Sequence, residues 1–225
     1  MANSIQSKFT KILIFYNDLG EKKLLKTSLK DLSIDKKVRL FYSKNKHIPI
    51  CALPRLRFVL ASKQGFVSFC YNFFAYVDST STTNNITISS SNIKSIAKFV
   101  ISHEVGHILD PTIYDAKTNY GDILSKLIDK LIEYDIDIND SNLHKMNLPV
   151  DLEECVMDLK RNLIDRESKA WDIAKTIVVI ENSKEEYLFN KIREYALATY
   201  NYGNLKNIVK EHNIDVLFKY KRYLS

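Results

Sequence analysis

The chain has 225 residues, a length that suits one domain or one domain with a helical extension. Its composition is 45% hydrophobic and 11% aromatic, which is enough for a packed core and excludes an intrinsically disordered chain. The 33 Lys and Arg against 27 Asp and Glu give a net charge of +6. Because this modest excess occurs in short clusters along the sequence, charge alone does not indicate nucleic-acid binding.

The cysteines and the apolar runs of the sequence indicate the cellular compartment of the protein. Cys51, Cys70 and Cys155 are far apart and form no CxxC pair, which argues against a disulfide framework or a cysteine-based zinc site. The N-terminus lacks a basic segment followed by an apolar core, so we expect no signal peptide. The longest apolar runs are too short to span a bilayer. The sequence therefore predicts a cytoplasmic protein without a membrane partner.

The first third of the chain predicts helices followed by strands. Helical spacing of apolar residues predicts helices over Phe9–Tyr16 and Lys22–Leu32. Runs rich in Val, Ile, Phe and Tyr, punctuated by proline and glycine, then predict short strands. These predicted strands are Val38–Tyr42, Ile48–Leu53, Leu56–Ala61, Phe66–Val77 and Ile86–Ser89. The last of them alternates apolar and polar residues, so we expect it at a sheet edge.

The rest of the chain predicts helices. Ser90, Ser91 or Asn92 is expected to cap a helix that ends at Asp110-Pro111, because the residue before proline avoids the α region. The further predicted helices are Tyr120–Tyr134, Asp151–Ile180, Glu185–Tyr200, Asn204–His212 and Asp215–Tyr223. Strands followed by helices indicate an α+β fold, with a small N-terminal mixed sheet and an all-helical C-terminal part.

The run His103-Glu104-Val105-Gly106-His107 has the H-E-x-x-H pattern of zinc hydrolases. Residues four apart lie on one face of a helix, so both imidazoles can reach one metal ion. Glu104 follows the first histidine, where it can contact an attacking water without ligating the metal. The pattern predicts His103 and His107 as metal ligands and Glu104 as general base.

A catalytic zinc site usually has a third protein ligand. The extended pattern with a glycine and a third histidine is excluded, since Asp110 and Ile113 occupy those positions. We favour Glu167, which shares a helix face with Ala170 and Ala174; small alanines allow close approach to the motif helix.

Other interpretations of the third ligand stay open. Glu167 can instead be a solvent-facing residue of an ordinary helix. Glu153 and Glu154 head the same helix, and His144 lies in a polar loop. Asp110, one helical turn after His107, is expected either to accept the ring N–H of that histidine or to end the helix. No tyrosine can be singled out as the oxyanion donor.

With these residues assembled, the chain resembles the ImmA/IrrE-type zinc metallopeptidases of bacteria, phages and mobile elements. The resemblance is carried by the predicted strand ITIS, by the helix with HEVGHILD and by the later helix with ESKAWDIA, which together cover about residues 86–180. The segment Lys175–Ile180 departs from the Leu-Leu-Met-Pro-like ending common in that family.

The resemblance implies a zincin-like, gluzincin-type site with one zinc ion on His103, His107 and Glu167, and with Glu104 as base. It also implies limited cuts in a protein substrate, such as a transcriptional repressor of stress or mobile-element genes. Residues 1–182 are then expected to form the metallopeptidase domain, with 183–225 as a helical extension packed on it. An extended peptide is expected to pair with the edge strand Ile86–Ser89.

Three alternatives accompany this interpretation. The H-E-x-G-H-x-x-D form also occurs in toxin-type metalloproteases, so the chain can be an effector that acts on a host protein and is exported without a cleavable signal. It can also be a non-catalytic metal-binding regulatory module, although the intact Glu104 argues against that. The third alternative is a chance occurrence of the motif in a protein without a metal.

Overall fold

A computed structural model describes residues 2–80, 86–137, 140 and 147–201. Within these residues the chain forms seven α-helices. They are α1 Ala2–Asp18, α2 Lys22–Lys30, α3 Lys63–Thr80, α4 Ser90–Leu109, α5 Ile113–Glu133, α6 Val150–Ile177 and α7 Ser183–Asn201. The predicted helices at Asn204–His212 and Asp215–Tyr223 lie outside the described residues.

Three short strands form a mixed sheet in the order β1-β3-β2. They are β1 Arg39–Ser43, β2 Cys51–Leu53 and β3 Phe58–Ser62. The central strand β3 runs parallel to β1 and antiparallel to β2, and a 3-10 turn at Pro54–Leu56 joins β2 to β3. The α+β class and the mixed sheet are therefore confirmed.

Two of the predicted strands are wrong. Phe66–Val77 lies inside helix α3, where Phe66, Cys70 and Phe73 are fully buried at helical spacing. Ile86–Ser89 belongs to no strand, and Ser89 instead caps helix α4. The remaining strand predictions hold with shifted ends, β2 covering the last three residues of the predicted Ile48–Leu53.

The chain divides into two compact units. The first comprises residues 1–110 and 167–196, and the second comprises 111–166 with the chain from 197 onward as far as it is described. Residues 183–196 of the predicted helical extension thus belong to the first unit, and the boundary expected after residue 182 stays a prediction. No helix of the described segments has the length and apolar character needed to cross a bilayer.

The first unit packs its sheet against the motif helix. The inner face of the sheet presents Val59 and Ala61, both fully buried, and α4 contacts β2, β3 and the 3-10 turn. Phe189 of α7 meets Phe99 of α4 edge-on, with ring centroids 5.2 Å apart. The motif helix is therefore covered by the sheet and by α7.

The second unit has a separate apolar core formed by α5 and the N-terminal part of α6. Its fully buried side chains are Leu127, Leu131, Leu152 and Leu159. The hydroxyl of Tyr134 donates a hydrogen bond to Asp151 (2.8 Å), which links the end of α5 to the start of α6.

Candidate metal centre

Helix α4 places the H-E-x-x-H motif in its last two turns. The hydroxyl of Ser89 accepts a hydrogen bond from the backbone N–H of Asn92 (3.2 Å) and caps the helix one residue before the predicted caps. At the other end, Asp110 is the C-cap and its N–H donates to the Gly106 carbonyl (2.9 Å). The helix end predicted at Asp110-Pro111 is thus confirmed, and residues 103 to 107 lie in a buried stretch.

Helix α6 approaches α4 closely at the site. A Cβ built on Gly106 would lie 3.0 Å from the Ala170 carbonyl carbon, and closer still to the carbonyl oxygen, so only glycine fits there. Ala170 and Ala174 are both fully buried. Small residues on both helices therefore bring the two backbones together, as the alanine pattern around Glu167 predicts.

This approach brings Glu167 onto both motif histidines. The Nε2 atom of His103 lies 3.0 Å from Oε2 of Glu167, and Nε2 of His107 lies 3.3 Å from Oε1. One ligand atom from each of the three side chains lies within 4.8 Å of the others. The three predicted ligands therefore form one buried cluster that can hold a metal ion.

The donor set of the cluster suits a zinc ion. The Nε2 atoms of the two histidines lie close to different oxygens of the Glu167 carboxylate, at 3.0 and 3.3 Å. Two imidazoles and one carboxylate are a donor set found in catalytic zinc sites, which leave a position for water or substrate.

The electrostatics of the cluster favour the protonation states that bind metals. Burial lowers the pKa of His103 and keeps its imidazole neutral at pH 7. Burial alone would raise the pKa of Glu167, but hydrogen bonds from His103 and His107 outweigh this effect and bring the pKa below its usual value. A neutral imidazole and an ionised carboxylate are the forms in which these groups ligate a cation.

Glu104 lies beside the cluster without joining it. Its carboxyl is buried, and burial raises its pKa to about 8, while His107 and the backbone N–H of Ala52 on β2 act in the opposite direction. A bound dication would bring this raised pKa back down, because it favours the ionised carboxylate. The position suits a base that acts next to the metal and does not ligate it.

Trp171 is a site residue that the motif analysis missed. Its indole stacks on the His103 imidazole, with ring centroids 4.2 Å apart and an interplanar angle of 19°. Phe189 also packs against the indole, edge-on with ring centroids 5.4 Å apart. Trp171 follows Glu167 by four residues on α6, and this shared helix face was the available signal.

Asp110 ends α4 and also contacts α6. Its side chain is almost fully buried, and one carboxylate oxygen lies 3.2 Å from the ammonium of Lys169. The role as a helix-end residue is thus observed. The alternative contact with the ring of His107 stays a prediction.

The remaining candidate ligands, and the histidines that were never candidates, lie elsewhere or outside the described residues. Glu153 and Glu154 are exposed residues of the second unit, where they line a shallow groove with Val150 and Met157. His47 is exposed. His144 and His212 lie outside the described residues. Among the described residues, His103, His107 and Glu167 form the cluster that could hold a metal ion.

Comparison of the chain with family models, with curated proteins and with solved structures finds no match.

Proposed function

We propose that this protein is a zinc-dependent metalloendopeptidase that cuts a protein substrate. The observation that carries the proposal is the buried cluster of His103, His107 and Glu167 with the carboxyl of Glu104 beside it. The resemblance of HEVGHILD and ESKAWDIA to ImmA/IrrE-type peptidases supports the same activity. Repressors of stress or mobile-element genes are the substrate class that this resemblance suggests.

The proposed chemistry assigns one task to each side chain. A zinc ion held by the three ligands would supply a Lewis acid that polarises the scissile carbonyl and acidifies a water molecule. Glu104 accepts the proton of the attacking water and delivers it to the leaving amine. His103 is held in orientation by the Trp171 indole, and Glu167 is held close by the contact of Gly106 with Ala170.

We further propose that an extended peptide pairs with strand β2 rather than with Ile86–Ser89. Among the described strands, β2 pairs with β3 only, and Ala52 at its centre contacts Glu104. Main-chain hydrogen bonds would then align the scissile bond with the base. N-methylation of single amides in a cleaved peptide should slow cleavage at alternate positions; equal rates for all of these peptides would contradict this arrangement.

The experiment that tests the function compares metal content and hydrolysis in four proteins. Wild type, Glu104→Gln, His107→Ala and Glu167→Ala are purified without chelator or histidine tag and measured by elemental analysis. We expect about one zinc per chain in wild type and Glu104→Gln, and loss of zinc in the two ligand variants. Glu153→Ala serves as the matched control and should keep its zinc.

Hydrolysis is then followed on a library of quenched fluorescent peptides. Wild type should cleave, and Glu104→Gln should be slower by at least about 100-fold, the lower range for loss of a general base. Zinc without any cleavage would support the regulatory-module alternative. Absence of metal from the wild type after reconstitution would overturn the proposal.

A further inference from the structure

The excess positive charge of the chain lies in its first 80 residues. Residues 1–80 hold fourteen Lys and Arg against five Asp and Glu, a formal charge of +9. Since the whole chain carries +6, the remaining 145 residues sum to −3. The basic segment includes the entire sheet, so any electrostatic attraction of a partner acts mainly there.

The outer face of the sheet is apolar and exposed. Cross-strand register places Arg39, Phe58 and Leu53 in one row, and Phe41, Leu60 and Cys51 in the next. Residues directly opposite each other share a face, so both rows lie opposite the buried Val59 row. Phe41 is 56% exposed and Leu53 is 36% exposed, while Leu56 in the adjoining turn is 61% exposed.

Two arginines border this apolar surface. Arg39 lies over the ring of Phe58, 5.9 Å from its centroid. Arg57 ends the turn in the left-handed conformation with φ 53°, held by hydrogen bonds of its N–H to Pro54 and of its carbonyl to the Arg39 N–H. In the described part of the chain, neither arginine forms a salt bridge. The Arg57 side chain is exposed beside the turn, where a partner can reach its charge.

This surface adjoins the candidate metal centre. Leu53 directly follows Ala52, the residue whose N–H reaches Glu104. A substrate strand paired with β2 would place alternate side chains on the same face as Leu53. The apolar and basic side chains are therefore continuous with the proposed path of the peptide.

We propose that the basic sheet face, formed by Arg39, Phe41, Leu53, Leu56 and Arg57, docks an acidic segment of the protein substrate that also carries large apolar side chains. The inference rests on the proposed function, because it assigns the substrate class of that site. Charge complementarity favours an acidic partner. One exposed phenylalanine and two leucines suit aliphatic and aromatic side chains better than stacked bases, which use several aromatic rings.

Binding is measured on the full-length Glu104→Gln protein, which keeps the proposed ligands and should cleave too slowly to consume the probe during the measurement. The probe is a fluorescent twelve-residue peptide in which Asp and Glu alternate with Leu and Phe, compared by anisotropy with the same peptide carrying Asn and Gln. We expect the acidic peptide to bind more tightly, and its affinity to fall about tenfold in Arg39→Glu/Arg57→Glu, the size expected for two lost surface charge pairs.

Two matched variants separate docking from net charge and from misfolding. Lys26→Glu/Lys30→Glu makes the same charge change on the exposed face of α2 and should weaken binding less than twofold. Arg57→Gly removes the side chain and relieves the left-handed strain, so it should weaken binding while the protein unfolds at the same or a higher temperature.

Several outcomes overturn the docking surface. An equal loss of peptide affinity in the two charge-reversal variants would show that only net charge matters. Unchanged affinity in Arg39→Glu/Arg57→Glu would show that the peptide does not bind at this face. Tighter binding of a single-stranded oligonucleotide or of anionic vesicles at the same salt concentration would assign a different partner. If wild type binds the peptide but does not cleave it, the proposed peptidase function is contradicted and the docking surface is kept. If wild type cleaves acidic and neutral peptides at equal rates, the docking surface is contradicted and the proposed function is kept.

Discussion

Glu167 and Trp171, two side chains of helix α6, both contact the imidazole of His103. The carboxylate of Glu167 meets Nε2 of His103, and the indole of Trp171 covers the ring face. His103 Nδ1 and Trp171 Nε1 are both buried without a hydrogen-bond partner in the described structure. The orientation of this imidazole therefore depends on stacking more than on a second hydrogen bond.

Trp171 should report metal binding, because it is the single tryptophan of the chain and stacks on a ligand. Titration of metal-free protein with Co²⁺ should quench its fluorescence and saturate at one ion per chain. Trp171→Leu should lower metal affinity by about three- to tenfold, since an aromatic pair is worth about 0.5–1.5 kcal/mol.

His103→Ala is the control for the titration and should show no saturable quenching. Quenching that persists in this variant would mean that the ion binds elsewhere. Metal affinity unchanged by Trp171→Leu would contradict an orienting role for the indole.

The ligand cluster was predictable from sequence, whereas the stacking was not. The spacing of His103 and His107, and of Glu167 and Ala170, follows from the geometry of single helices. The contact of Trp171 with His103 depends on how two helices distant in sequence cross, which no local pattern specifies. The same holds for the backbone N–H of Ala52: its strand was predicted, but its contact with Glu104 depends on how the sheet packs on α4.

At the scale of whole elements, α3 shows that a continuous apolar run does not distinguish a helix from a strand. Its residues are mostly aromatic or apolar on all sides, so alternation and helical spacing are both satisfied. Length was the better guide, because 18 residues exceed the usual strand. Ile86–Ser89 failed for the opposite reason: four alternating residues are too few to specify a strand.

The contact between α4 and α6 predicts that Gly106→Ala is strongly destabilising. The added methyl group would collide with the Ala170 backbone, and overpacking of this kind costs about 1–3 kcal/mol. Separation of the helices should also weaken metal binding. Urea denaturation measures the free energy of unfolding, and elemental analysis measures the bound metal.

Gly121→Ala is the matched control, since a Cβ at that position in α5 meets nothing within 4 Å. It should stabilise the protein by up to about 1 kcal/mol, the helix-propensity difference. If Gly106→Ala does not lower the free energy of unfolding relative to wild type, as Gly121→Ala should not, the close approach of α4 and α6 is contradicted.

Glu185 fastens the start of α7 to α4. Its carboxylate accepts from Lys98 at 2.8 and 2.9 Å, from the Ser95 hydroxyl at 2.9 Å and from the Glu181 N–H at 3.0 Å. Burial raises the pKa of Glu185, but these hydrogen bonds outweigh burial and lower it. A lowered pKa means that the carboxylate stabilises the fold above the unfolded-state pKa of about 4.3 and loses that contribution as the pH falls.

Glu185→Gln should therefore cost about 1–2 kcal/mol at pH 7, and the difference from wild type should shrink below about pH 4. Glu186→Gln is the control, because Glu186 pairs with Lys175 across an exposed 3.3 Å contact and should cost under about 0.5 kcal/mol. Denaturation at several pH values measures both. A difference that stays constant down to pH 2 would show that the charge of Glu185 is irrelevant.

At the scale of the whole molecule, the first unit is assembled from two separate stretches of chain. Residues 1–110 supply both histidines and residues 167–196 supply the carboxylate. A bound ion would tie these stretches together and would be present only in the folded state. Metal binding and stability of this unit are then linked.

Zinc should raise the midpoint of thermal unfolding. At a thousandfold excess over the dissociation constant the gain is about 4 kcal/mol, or roughly 8–16 °C for a chain of this size. Calorimetry with zinc and with EDTA measures the shift. Glu104→Gln should keep the shift and Glu167→Ala should lose it, whereas equal midpoints with and without zinc in wild type would argue against a folded-state site.

The order of the ligands along the chain also governs when the proposed enzyme can become active during its synthesis. Glu167 lies sixty positions after His107 in the chain. At about 5–20 residues per second, the ribosome takes roughly 3–12 seconds to add them. Throughout that interval the nascent chain has the two imidazoles without the Glu167 carboxylate, too few of the proposed ligands for a firm zinc site. A chain that ends between His107 and Glu167 would therefore lack the third proposed ligand, and under the proposed function newly made chains could not cut their neighbours before Glu167 is added.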